Sequence, residues 1–202
     1  MCSFAIVTFV LSLRGEETPM ASIEGMLEYW EETKRYRTPF IMVALCGRFK
    51  GEHNLRWHLL PMADVGKSKI PSRRWVSRLL HRRVRLDGTR HGYLFAREGG
   101  QKGSIGDYDP LFREYIERTM KARPTLFPKG VEVSDFSLRR SPRRGSTTAA
   151  TNNRVHPLAI ELMNRWRTRE RARGSEPGLP MRQVYTQVRD TIDASLEYSL
   201  SH

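Results

Sequence analysis

Arginine dominates the stretch from Phe136 to Tyr185, FSLRRSPRRGSTTAATNNRVHPLAIELMNRWRTRERARGSEPGLPMRQVY, which holds ten arginines between Arg139 and Arg173 against only Glu161 and Glu170. Charge of one sign at that density suits a polyanion, and the planar guanidinium fork grips two phosphate oxygens at once. Within the stretch, Ser141-Pro142 predicts a helix start, because the hydroxyl can cap free backbone N–H groups and proline suits the first helical position. Arg143 and Arg144 then fall in the first turn, where unbonded N–H groups and the positive end of the helix dipole already favour an anion. Taken alone, such a pair is more often a solvated basic helix start, so its weight depends on the rest of the chain.

Composition agrees with an anionic partner. Lys and Arg number 35 against 22 Asp and Glu, a net charge of +13, which places nucleic acid ahead of an anionic membrane. The 202 residues, 39% of them hydrophobic, suit one globular domain with its own core. Cys2 and Cys46 make no disulfide framework and no metal cluster, and read as reduced thiols of an intracellular protein. No glycine-rich phosphate loop, internal repeat or metal-ligand spacing of His and carboxylates is present in the sequence.

The elements that must position these side chains follow from hydrophobic period. Phe4 to Leu13 (FAIVTFVLSL) is too short to span a bilayer and lacks the basic lead of a signal peptide; it predicts a buried helix that begins abruptly. Arg14-Gly15-Glu16-Glu17 makes a charged turn, and Ile23 to Trp30 fits either a short strand or a helix. IMVALC and LRWHLLPM, within Ile41 to Met62, predict two strands with Ile41, Val43, Leu45 and Leu55, Trp57, Leu59 alternating inward, joined by a hairpin loop with Lys50 at its tip. Ile70 to Arg85 predicts an amphipathic helix with Trp75, Val76, Leu79 and Leu80 inside and Arg73, Arg74, Arg78 and Arg82 outside.

Tyr93 to Phe95 suggests a further short strand, and Asp109-Pro110 a helix start that runs to about Lys121 with Leu111, Phe112, Tyr115, Ile116 and Met120 buried. A helix from Pro157 repeats Leu158, Leu162 and Trp166; after a loop from Arg173 to Pro180, a last helix aligns Val184, Val188, Ile192 and Leu196 with Tyr185 beside the stripe. The expected class is α+β, mainly helical, with a small antiparallel sheet.

In this order, Arg14, Lys50, Arg140-Ser141-Pro142-Arg143-Arg144-Gly145, Trp166 and Tyr185, the chain resembles the catalytic domain of the tyrosine recombinase (phage integrase) family, in the divergent branch carried by mobile elements. That family has an arginine in a turn after an apolar helix with a glutamate three residues on, as Arg14 and Glu17 stand here; a lysine in a β-hairpin turn, as Lys50; and an arginine closing a His-x-x-Arg pattern at a helix start, as Arg143, with Arg140 in the histidine's place. Trp166 falls on the family's His-or-Trp position and Tyr185 on its nucleophile. Arg139 is a rival for the second arginine, and the Gly-Ser-Thr-Thr after Arg144 favours Arg143.

The resemblance spans nearly the whole chain and implies a DNA breaking-rejoining core over residues 1–202, N-terminally truncated relative to the family's usual architecture. It implies that the Tyr185 oxygen attacks a phosphodiester, giving a 3′-phosphotyrosyl link and a free 5′-hydroxyl, with no metal or other cofactor. Arg14 and Arg143 would clamp the phosphoryl oxygens, Lys50 would protonate the leaving oxygen, and Trp166 would shape the pocket or donate its indole N–H. Arg140 completes the implied catalytic set in the histidine's place, with the effect of a group that stays protonated there left open. Arg139, Arg144, Arg165, Arg167, Arg73 and Arg74 are the expected contacts to double-stranded DNA, with a nuclear location if the source is eukaryotic, no membrane partner, and the number of copies acting together on DNA left open. Singly, each of these residues reads as ordinary: Arg14 as an ion-pair partner of Glu17, Lys50 as loop surface, Trp166 as packing, Tyr185 as a half-buried helix tyrosine. The rival functions are a DNA-binding remnant without catalysis and a basic scaffold for RNA or acidic proteins.

Overall fold

The computed structural model describes residues 2–28, 40–47, 56–64, 66–67, 69–164 and 196–202. Within them the fold is α+β and mostly helical, with a two-stranded antiparallel sheet. Helix α1, Cys2–Val10, is the centre of the core: Phe4, Val7, Thr8 and Val10 are buried on it, and it packs against the two helices defined below as α3 and α5. It stops short of the predicted Leu13 because Ser12 turns left-handed (φ 49°). The Ser12 N–H donates to the Phe9 carbonyl at 3.1 Å and the Leu13 N–H to the Thr8 carbonyl at 2.9 Å. This is the Schellman ending, in which glycine usually takes the left-handed position; a serine there costs on the order of 1 kcal/mol.

The chain then makes a turn through Arg14 and a 3-10 turn at Thr18–Met20, which the Thr8 and Thr18 hydroxyls tie to α1 at 2.8 Å. Ile23–Glu28 is helix α2, which decides between the two readings of that segment. Strands β1 (Phe40–Gly47) and β2 (Arg56–Ala63) pair antiparallel from Phe40 opposite Ala63 to Gly47 opposite Arg56. Two expectations for the sheet are corrected. β1 is buried on both faces from Phe40 to Leu45, its second face carrying Phe40 and Met42 against Leu196, so it does not alternate. On β2 the residues from Leu60 to Ala63 are buried, while Trp57 is 47% exposed.

Helix α3, Ser72–His81, buries Val76 and Leu80 and continues into one wide π turn, Arg82–Leu86. Trp75, expected inside, is 40% exposed. Tyr93 forms only an isolated bridge to Ser22 rather than a strand, although Leu94 and Phe95 are buried.

Helix α4, Ile105–Ala122, starts earlier than Asp109-Pro110 because Ser104 and Asp107 form a reciprocal capping box, leaving Pro110 inside the helix. Its Ile105, Tyr108 and Phe112 pack on the core, while Leu111 and Tyr115, expected inside, are exposed. Asp109, freed from capping, accepts the Leu138 N–H at 2.6 Å and pairs with Arg113 at 3.0 Å. The 3-10 turn Val133–Asp135 precedes helix α5, Ser141–Asn152.

The cap of α5 is Arg140, not Ser141, and no side chain caps it; the Ser141 hydroxyl accepts the Ser137 N–H at 3.0 Å instead. α5 also ends in a Schellman pattern, with Arg154 left-handed at φ 59°. Helix α6, Pro157–Asn164, buries Ala159, Ile160 and Met163. A last helical turn over 196–200 brings Tyr198 into the core.

Candidate phosphate site

The ends of α1 and α5 meet at one place. Gly15 follows Arg14 where a Cβ would lie 2.2 Å from Ile105 Cδ1 and 2.5 Å from the Leu138 carbonyl oxygen, so only glycine lets the turn approach the chain leading into α5 this closely. Gly145 is under no such constraint, since a Cβ there would meet the Phe9 ring at 3.4 Å, ordinary van der Waals contact. The close approach at Gly15 brings the Arg14 turn beside the chain that leads into α5.

Glu17 sits between the two arginines. Its Oε1 is 3.7 Å from Arg14 Nη1, and its Oε2 is 3.7 Å from Arg143 Nη1 and accepts the Arg14 backbone N–H at 2.7 Å. The Glu17 and Arg143 side chains are 5% and 12% exposed and that of Arg14 39%, so the cluster is sunk on one side and open on the Arg14 side. Among the described residues the cluster counts two guanidinium groups and one carboxylate, a positive balance of the sign that suits an anion.

Arg143 also donates to the Asn164 backbone carbonyl. The Thr147 hydroxyl, one turn along α5, lies 3.0 Å from the Arg143 carbonyl oxygen and 3.2 Å from Asn164 Oδ1. Asn164 is 1% exposed; its Nδ2 donates to the Ile160 carbonyl at 2.8 Å and its Oδ1 accepts the Ser12 hydroxyl at 2.9 Å. Beside them opens a cavity of about 380 Å³ lined by Arg143, Arg144, Thr147, Thr148 and Asn164. Thr147 and Asn164 were not singled out in the sequence. The Gly-Ser-Thr-Thr after Arg144 hinted at the first, and nothing in the spacing pointed to the second.

Of the residues singled out in the sequence, Arg14 and Arg143 are brought together. Arg139 is exposed and faces Glu16 at 3.4 Å, so it lies outside the sunken cluster and Arg143 is the arginine inside it. Arg140 and Arg144 are exposed beside the site. On α3, Arg73 pairs with Asp64 at 3.8 Å and Arg74 is exposed; with Arg78 and Arg85 they rim a groove of about 860 Å³ floored by Leu80 and Val84. Lys50, Arg165, Trp166, Arg167 and Tyr185 lie outside the described residues.

Tyr198, the other tyrosine late in the chain, is fully buried, its hydroxyl 2.7 Å from Ser146 Oγ. Ser146 Oγ is also 2.7 Å from His202 Nε2, and burial holds the His202 imidazole below its ordinary pKa despite carbonyl partners at Tyr198 and Ser146. That cluster belongs to the core rather than to a surface open to DNA.

Among the described residues no group of three or more His, Cys, Asp or Glu is placed to hold a metal ion, and no helix is long and apolar enough to cross a membrane. No family model, curated protein or solved structure matches the chain.

Proposed function

We propose that this chain is a tyrosine recombinase-type catalytic domain that breaks and rejoins duplex DNA through a 3′-phosphotyrosyl intermediate. The observation that carries the reading is the meeting of Arg14 and Arg143 at Glu17, from distant parts of the chain. Without a metal ion, charge building on the phosphoryl oxygens must be met by protein cations, and two guanidinium groups held at one carboxylate supply them. Arg144 and the cavity below it extend the positive surface along the DNA backbone. Tyr185 is the proposed nucleophile, Lys50 the proton donor to the leaving 5′-oxygen and Trp166 the pocket wall, on the strength of the sequence resemblance.

A second reading, a DNA-binding domain that does not cut, is favoured by one observation: Arg140 stands where the family has a histidine and is permanently charged. Incubation with nicked duplexes separates the two. When cleavage releases a short 5′-hydroxyl fragment that diffuses away, a cutting enzyme is trapped as a denaturation-resistant adduct. The proposal predicts an adduct whose DNA peptide contains Tyr185 and which Tyr185→Phe abolishes with little change in folding or DNA affinity. Binding without any adduct supports the second reading.

A further inference from the structure

The Schellman ending of α1 places a serine where glycine costs less, and the buried hydroxyl that serine brings reaches Asn164, on α6. The same motif closes α5 with Arg154 at the left-handed position, but there the side chain is exposed, whereas Ser12 is wholly buried. The Asn164 amide has only one orientation that satisfies its surroundings. The Ile160 carbonyl can only accept, so Nδ2 must face it and Oδ1 must face Ser12 and Thr147. The backbone carbonyl of the same asparagine receives the Arg143 guanidinium. Ser12 is two residues before Arg14, and Thr147 is one turn after Arg143.

We infer that Ser12 and Asn164 are positioning residues: their hydrogen bond fixes the α1 ending, and with it Arg14, against the helix pair that carries Arg143, and so sets the separation of the two guanidinium groups that would share one phosphate. The inference rests on the reading of that cluster as a phosphate site. Glu17 alone does not set the separation, since it approaches both arginines at 3.7 Å, longer than a hydrogen bond, and bonds to the Arg14 backbone rather than to its guanidinium. The Ser12–Asn164 bond, between two short buried side chains, links the end of α1 to α6. A buried polar link of this kind is a poor source of net stability and a good source of unique geometry.

Ser12→Gly separates geometry from stability, because glycine relieves the left-handed strain while it removes the hydroxyl. Arg154→Gly is the control, relieving the same strain in α5 without touching Asn164, and Ser12→Ala removes the hydroxyl with the strain kept. The measurement is calorimetric titration of the full chain with inorganic phosphate, alongside thermal midpoints without phosphate and adduct rates on nicked duplexes.

The expected result is that Ser12→Gly keeps its midpoint within about 3 °C of wild type yet loses about tenfold in phosphate affinity and in adduct rate, that Ser12→Ala loses the same affinity, and that Arg154→Gly loses neither. Unchanged phosphate affinity in Ser12→Gly, a loss that merely follows a lowered midpoint, or a wild-type chain without phosphate affinity would overturn the inference. A wild-type chain that binds phosphate, loses it in Ser12→Gly and forms no adduct would keep the positioning role and remove the strand-breaking reading.

Discussion

Glu17 is a 5%-exposed carboxylate facing two arginines, and its removal is the simplest test of how the cluster is balanced. The gross attraction of such a pair at about 4 Å is roughly 4 kcal/mol at an effective dielectric near 20, most of it offset by desolvation. What a mutation reads is the charge left behind. Glu17→Ala takes one carboxylate away from the Arg143 guanidinium, 12% exposed, and should lower unfolding free energy by about 2 kcal/mol in urea melts, discounted because the Arg14 side chain is 39% exposed. Glu17→Gln keeps an acceptor for the Arg14 N–H and should cost less than half of that. The Arg14–Glu17 pairing was legible in the sequence from a spacing of three within a turn. The third member was not, because nothing local says that Arg143 folds onto the same carboxylate, and Asn164 was invisible because its role lies in a long-range hydrogen bond rather than in any periodicity.

Among the elements, the helices were read best where burial sets the pattern and worst where local caps compete. α1, β1 and β2 stand close to their predicted places, since long apolar runs have few alternatives. The start of α4 was misplaced because the Ser104–Asp107 box outweighs the Asp-Pro signal; of the expected inner face Phe112 packs on the core, joined by Ile105 and Tyr108 from the added turn, while Leu111 and Tyr115 are exposed. Trp57 and Trp75 were placed inside by period alone, but the sheet and α3 each cover their inner faces with smaller side chains, leaving both indoles near the surface.

Two glycines, each at a different contact between elements, give opposite predictions. Gly15→Ala puts a methyl 2.5 Å from a backbone carbonyl and should destabilise by about 1–3 kcal/mol. Gly145→Ala meets only the Phe9 ring at 3.4 Å and should stabilise α5 by about 0.5–1 kcal/mol; both are measured by chemical denaturation.

The docked last turn adds a pH dependence. His202 is kept neutral by burial, so the folded state binds its proton less readily than the unfolded state does. Stability from this group is therefore present above the ordinary imidazole value of 6.5 and falls as pH drops below it, and His202→Gln should flatten that decline in melts between about pH 7.5 and 5.5.

At the scale of the whole molecule, a net charge of +13 predicts DNA binding dominated by phosphate contacts. The dissociation constant for an unrelated duplex should rise at least about tenfold between roughly 50 and 200 mM salt, and a constant that barely moves would remove DNA as the partner. Charge, the mainly helical class and the pairing of two strands were open to inspection from residue types. The convergence of the two arginines was expected only through the family resemblance, because periodicity places residues on faces of elements and says nothing of which elements meet.

That convergence is the central claim, and a double-mutant cycle on adduct formation tests it. If Arg14 and Arg143 hold one phosphate, Arg14→Ala and Arg143→Ala should each slow adduct formation on nicked duplexes by about a hundredfold, and the double variant should fall little further, as groups that act as a unit do. Losses that multiply to about ten-thousandfold, or an adduct rate untouched by either substitution, would contradict a shared phosphate.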